Sequence, residues 1–162
     1  MTAILAIDPG TDESGWCLYH DSGRLFASGV KPNDLLLQEI RETPADVLAI
    51  EMIASYGMPV GREVFETCVW IGRFTQVFRR PDDVLFVYRR DVKLHLCGSP
   101  QAKDPNIRQA LLDRFPRTGG GKVPQVGVKK QPGPLFGVST HAWSALGVAV
   151  TAAHQLAQKE VA

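Results

Sequence analysis

The sequence is short of cysteine, of long apolar runs and of net charge, and each shortage narrows what the chain can be. Its three cysteines, Cys17, Cys68 and Cys97, are odd in number and scattered. Such a set argues against a disulfide framework and against a Cys-based zinc site, and it suits a reducing compartment. No apolar stretch approaches the length of a membrane span. Met1-Thr2 leads straight into an apolar segment with no basic-then-apolar leader, so the expected location is the cytoplasm. At 162 residues the chain reads as one domain, 1–162, large enough for a core without staples.

The small net charge, +1, conceals a division. Residues 1–88 hold 7 Lys+Arg against 13 Asp+Glu, whereas residues 89–130 hold 10 against 3. One part suits cations and the other a polyanion, although basic surface loops are common in any protein.

What the sequence does have is a pair of matching apolar runs, each ending in an acid. Ala3 to Ile7 runs into Asp8, and Pro9-Gly10 then turns the chain. A run this short, closed by a turn, reads as a strand buried on both faces, with Asp8 at the sheet rim where ligands of α/β folds gather. The alternative is that Asp8 only accepts hydrogen bonds from its own turn. Val47 to Ile50 repeats the pattern and ends in Glu51. Between the two runs, Gly15–Tyr19 and Leu25–Val30 read as a hairpin, followed by a helix from Leu35 to Arg41 with Asn33 as its cap. That connection allows the two apolar strands to run parallel as neighbours, placing Asp8 beside Glu51. Adjacent carboxylates repel unless a cation lies between them, and a hard divalent ion is the economical choice.

Further along, Tyr56 sits at the tip of a loop over 54–59. Residues 61–79 form a helix that is apolar around much of its circumference. Phe65, Cys68, Val69, Ile71 and Gly72 cover one side, and Val64, Trp70, Phe74, Val77 and Phe78 extend the surface. Such a helix is either a dimer interface or sandwiched within the domain. A strand over 84–88 leads into Arg89-Arg90-Asp91-Val92-Lys93, then a turn at 98–100 and Lys103. Asp104 caps the next helix, with Pro105 at its first position and Ile107, Leu111, Leu112 and Phe115 as its buried stripe. Residues 116–134 hold four prolines, three consecutive glycines and Arg117, Lys122, Lys129 and Lys130 without an acid; this reads as a mobile basic loop reaching to about 138. The last helix starts near Ser139 and runs to about Gln158, with an alanine-rich face for the sheet. His141 and Ser144 share an edge of its first turn. A histidine there is structural unless that helix start reaches Asp8 and Glu51.

Taken together, these residues resemble the RuvC family of Holliday junction resolvases, among the ribonuclease H-like nucleases. The resemblance spans about residues 3–157. It is carried by Ile-Asp-Pro-Gly-x4-Gly-Trp at 7–16, by the strand ending in Glu51, by Val92-Lys93 with Gly98-Ser99 and Ala102-Lys103, and by His-Ala-Trp-Ser-Ala-Leu at 141–146. The Arg-rich, Gly/Pro-rich variant is similar to phage or prophage members. The resemblance implies an α/β fold with a mixed five-stranded sheet flanked by helices, and a homodimer, for which the apolar helix at 61–79 is the expected interface. It implies hydrolysis of four-way or other branched DNA with two magnesium or manganese ions. Asp8 and Glu51 match the first two metal-binding acids and His141 the third position. Ser144 falls on the fourth, where the family carries Asp, and this is a departure. A nitrogen donor and a missing acid favour manganese over magnesium. Lys93 and Lys103 match basic positions that contact DNA or the scissile phosphate, so Lys103 joins Asp8, Glu51 and His141 as a catalytic candidate. Arg89, Arg90, Lys122, Lys129 and Lys130 would supply sequence-independent phosphate contacts. Tyr56 lies in a loop that carries a stacking aromatic in relatives.

Two other readings compete. One keeps the fold but drops catalysis, because Ser144 weakens the metal site, leaving a branched-DNA-binding protein. The other is an actin-like or sugar-kinase-like ATPase, since Asp-x-Gly-Thr at 8–11 also resembles a phosphate-binding turn. Those folds need a second domain and a second Gly-rich motif, and the chain has neither.

Overall fold

In the computed structural model, which describes every residue from Met1 to Ala162, the two apolar runs form the central strands β1 (Ala3–Asp8) and β4 (Val47–Met52). They pair parallel, with Ile7 opposite Ile50. On the far side of β1 lie β2 (Glu13–His20) and β3 (Arg24–Pro32), both antiparallel to their neighbours. Beyond β4 lies β5 (Leu85–Tyr88), parallel to it. The result is a mixed five-stranded sheet in the order β3-β2-β1-β4-β5, flanked by helices as expected.

The pleat sorts each strand's side chains onto two faces. Leu5, Ile7, Leu48 and Ile50 point to one face, where α1 (Asn33–Glu42) and α2 (Arg62–Val77) cover them with Leu36, Ile40, Ile71 and Phe74. Each of these four strand residues is fully buried, contributing about 1.5–3 kcal/mol. Ile4, Ala6 and Ala49 point to the other face, under α5 (Thr140–Val161), with α3 (Arg89–Cys97) and α4 (Asp104–Leu112) packed beside it. By the same alternation Asp8 and Glu51, two residues beyond Ala6 and Ala49, belong to the α5 face.

Small residues let α5 approach closely. Ala6 and Ala49 meet Ala145 and Ala149 of the helix in one fully buried cluster. A Cβ on Gly15 would collide with the carbonyl oxygen of His141 and fall 2.8 Å from its Cβ. Only glycine in β2 therefore lets the start of α5 rest against the sheet. No helix of the chain is long and apolar enough to cross a membrane.

Several local expectations are corrected. Asn33 is the first residue of α1 rather than its cap, and its side chain is buried and turned back toward β2. Lys103, not Asp104, precedes α4, because the Asn106 side chain accepts a hydrogen bond from the Lys103 backbone N–H at 3.0 Å; Pro105 is the second helical residue. In α2 the buried face is Thr67, Ile71 and Phe74, whereas Phe65 and Val69 are 61% and 63% exposed. The helix is thus covered on one side only and is not sandwiched. The 116–138 segment is not without elements: β6 (Gly127–Val128) and β7 (Gln131–Pro132) form a two-stranded ribbon, and Gln125 and Leu135 are buried beneath it. Leu135 joins the α5-face core and its N–H bonds the Gln125 carbonyl at 2.8 Å, which fastens both ends of the ribbon to the domain.

Candidate functional site

The turn that follows Asp8 is held by a closed set of hydrogen bonds built on the buried Ser14 and Asn33 side chains. The Ser14 hydroxyl donates to Asn33 Oδ1 at 2.6 Å and accepts from the Gly10 backbone N–H at 3.1 Å. Asn33 Nδ2 donates to the Gly10 carbonyl at 2.9 Å. Buried polar groups without partners are expensive, so removing one member leaves a penalty of about 1–3 kcal/mol. This brace fixes the direction in which Asp8 leaves β1.

Asp8 and Glu51 leave the ends of adjacent parallel strands, and their carboxyl groups lie within hydrogen-bonding reach of each other. Their side chains are 19% and 14% exposed. Burial raises the pKa of both. Glu51 is pushed up to about 8, because its contact with Asp8 adds to the burial, while the nearby Arg89 charge only partly offsets it. Near neutral pH Glu51 therefore tends to keep its proton beside Asp8.

Three further elements close around this pair. The His141 imidazole, in the first turn of α5, places Nδ1 3.5 Å from Asp8 Oδ2. Arg89, the first residue of α3, places Nη1 3.9 Å from Glu51 Oε1, and its Nη2 is bound to Asp104 at the start of α4. Tyr56 sits in the loop after β4 with φ of 50°, a left-handed conformation that costs a non-glycine residue about 1–2 kcal/mol. Its ring is exposed beside the acids.

Three clefts meet here. One of about 280 Å³ is lined by Asp8, Glu51, Tyr56 and Arg89. A second, of about 360 Å³, is lined by Tyr56, Arg89, Arg90, Lys93 and Gln101. The third, about 740 Å³, is lined by Arg89, Asp104, Arg108, His141 and Ser144 among others. Arg89 borders all three. A separate cleft of about 330 Å³, with Tyr19, His95, Arg114 and His154 on its walls, opens at the opposite end of β1 and β2.

The structure therefore gathers Asp8, Glu51, His141, Ser144, Arg89, Arg90, Lys93 and Tyr56 around one rim. Lys103 is exposed at the start of α4 and borders none of the three clefts. Lys122, Lys129 and Lys130 are exposed on the ribbon segment, likewise outside the clefts. No three of the His, Cys, Asp and Glu side chains are gathered tightly enough to hold a metal as they stand. His141, 61% exposed, has its Nδ1 3.5 Å from Asp8 Oδ2.

Sequence reasoning missed two contributors. Asn33 was legible only as a helix start, since its partners lie 19 and 23 residues back. Arg108, stacked over the Trp143 ring at 4.7 Å, adds a cation to the cleft that holds His141 and Ser144. Its place one residue after Ile107 on α4 was the available signal.

No family model matches the sequence, and no curated protein does. Among the solved structures this chain is similar to are two of RuvC. One is the RuvC structure from Thermus thermophilus, at 16% identity and a TM-score of 0.67 over 96% of each chain. The other is T. thermophilus RuvC in complex with a Holliday junction substrate, at 16% identity and a TM-score of 0.70, covering 98% of this chain and 97% of that one. Over nearly its whole length, this chain has the RuvC-like, ribonuclease H-like fold.

Proposed function

We propose that this protein is a divalent-metal-dependent endonuclease that cleaves four-way or other branched DNA. The observation that carries the reading is the buried Asp8–Glu51 pair at the rim of the sheet, with the His141 imidazole against Asp8. Support for the substrate class comes from the fold it shares with a RuvC that is in complex with a Holliday junction substrate.

The donor set fits a hard divalent cation, magnesium or manganese. Two adjacent, desolvated acids are poorly satisfied by each other and would give up protons to a metal. Asp8 and Glu51 would hold the ion; His141 and Ser144 would complete the set for a second. When bound, such ions activate water and stabilise charge on the phosphate oxygens. The chain's own residues do the rest. With Nδ1 turned toward Asp8, His141 would keep Nε2 to ligate or to accept the proton of the attacking water. Arg90 and Lys93, in the cleft next to the acids, suit phosphates on either side of the scissile one, and Tyr56 offers a ring for an unstacked base. Lys103 and the ribbon lysines Lys122, Lys129 and Lys130 would contact backbone farther from the cut. The exposed Phe65 and Val69 of α2 suit a second copy of the chain, which would present two sites to a junction.

A second reading, a branched-DNA-binding protein with little catalysis, is favoured by Ser144 and by the lack of a ready three-donor cluster. One experiment separates the two. Labelled four-way, flap and linear duplexes are incubated with the protein and either ion, beside Asp8→Asn and Glu51→Gln. The nuclease reading expects nicking of the branched forms only, lost in both variants while binding persists. Binding without nicking in either ion establishes the second reading.

A further inference from the structure

We propose that the Arg89 guanidinium is the resident counter-ion of the acidic pair, which a divalent metal must displace and which DNA phosphate draws away. The proposal rests on the nuclease reading of the same rim and deepens it by assigning an order of loading. Arg89 is the first residue of α3, directly after β5, the strand paired with β4. Its fork therefore starts one strand away from Glu51 and is aimed along the rim. One arm lies 3.9 Å from Glu51 Oε1 and the other is bound to Asp104, so a single cation spans two acids from β4 and α4. The side chain is 28% exposed, and it borders the acidic cleft, the Arg90–Lys93 cleft and the His141–Ser144 cleft at once. A guanidinium in that position offsets part of the carboxylates' charge without metal chemistry. It also repels an arriving dication at short range, where screening by water is weak.

The same position gives Arg89 a second partner. Phosphates entering the Arg90–Lys93 cleft meet the guanidinium on the side away from Glu51, and planar bidentate pairing with phosphate suits arginine. Turning Arg89 toward DNA removes positive charge from Glu51 and frees both acids for metal. Binding of DNA and of metal then become mutually favourable, since a coupling free energy acts equally in both directions. In the absence of DNA, the site stays largely closed to metal.

The test is manganese binding measured by electron paramagnetic resonance and calorimetry, with no cleavage readout. Four proteins are compared without DNA: the parent, Arg89→Gln, Arg89→Lys and Glu51→Gln. The expected result is roughly tenfold tighter manganese binding by Arg89→Gln, with Arg89→Lys near the parent because it keeps the charge. With a saturating, non-cleavable four-way junction, the difference between parent and Arg89→Gln should narrow. Equal or weaker binding by Arg89→Gln overturns the proposal, provided Glu51→Gln has lost binding. If Glu51→Gln binds manganese like the parent, the metal-site reading itself has failed, and the counter-ion role falls with it. Matching urea transitions for the parent and Arg89→Gln in the buffer of the binding measurement exclude a folding defect as the cause of weakened binding.

Discussion

Replacing Glu51 by glutamine should make the metal-free protein more stable at alkaline pH, and the effect should vanish in acid. In the unfolded chain Glu51 ionises near its ordinary value of 4.5, whereas in the folded protein burial and the neighbouring Asp8 carboxyl hold it at about 8. Between those values the folded state keeps a proton that the unfolded state has released, so stability falls as pH rises through the window. One pKa unit corresponds to about 1.36 kcal/mol, so the fall from pH 4.5 to above pH 8 amounts to about 4–5 kcal/mol, shared with Asp8. Glutamine fills the same volume and never ionises. Urea unfolding in chelator at pH 5, 7 and 9 should therefore show the two proteins close together at pH 5. At pH 9, Glu51→Gln should be ahead by several kcal/mol. Manganese at one hundred times its dissociation constant should return about 2.7 kcal/mol to the parent at pH 8 and little to the variant. Two pH profiles that run parallel would refute the reasoning, because Glu51 would then be ionising alike in both states.

Other outcomes follow from the geometry. Asn33→Ala breaks the brace on the Asp8 turn and should cost about 1–3 kcal/mol by urea unfolding, with a loss of nicking larger than that instability explains. Gly15→Ala pushes β2 against His141 and should destabilise the fold, whereas Gly72→Ala, on the open side of α2, should be neutral or stabilising by up to about 1 kcal/mol. Ser144→Asp should improve nicking in magnesium relative to manganese; no change would remove Ser144 as the reason for a manganese preference. Phe65→Glu with Val69→Glu should leave the melting temperature nearly unchanged and shift sedimentation toward the monomer.

The sheet was readable because its signals are local. Two apolar runs ending in acids determine which strands are central and where their carboxylates emerge, and alternation alone puts Asp8 and Glu51 on one face. The start of α5 was readable too, since Ser139 and the alanine stripe mark it, though not its distance from the acids. That distance depends on Gly15, which looks like any strand glycine until the helix is laid across it. Arg89 illustrates the limit. As part of an Arg-Arg pair it reads as a phosphate contact, and only the β4–β5 pairing reveals that it also faces Glu51. Helical periodicity likewise counts apolar residues on α2 without saying which face the sheet takes. Two-residue strands such as β6 and β7 have no period at all, so a segment rich in glycine and proline reads as loop.

The contact between Gly15 and His141 joins the first hairpin to the final helix. Every residue needed to build the acidic pair has been synthesised by Glu51, yet the imidazole and the roof over Ala6 and Ala49 arrive only with α5. A nascent chain that has passed Glu51 but not yet reached α5 thus carries both carboxylates without the imidazole that lies against Asp8.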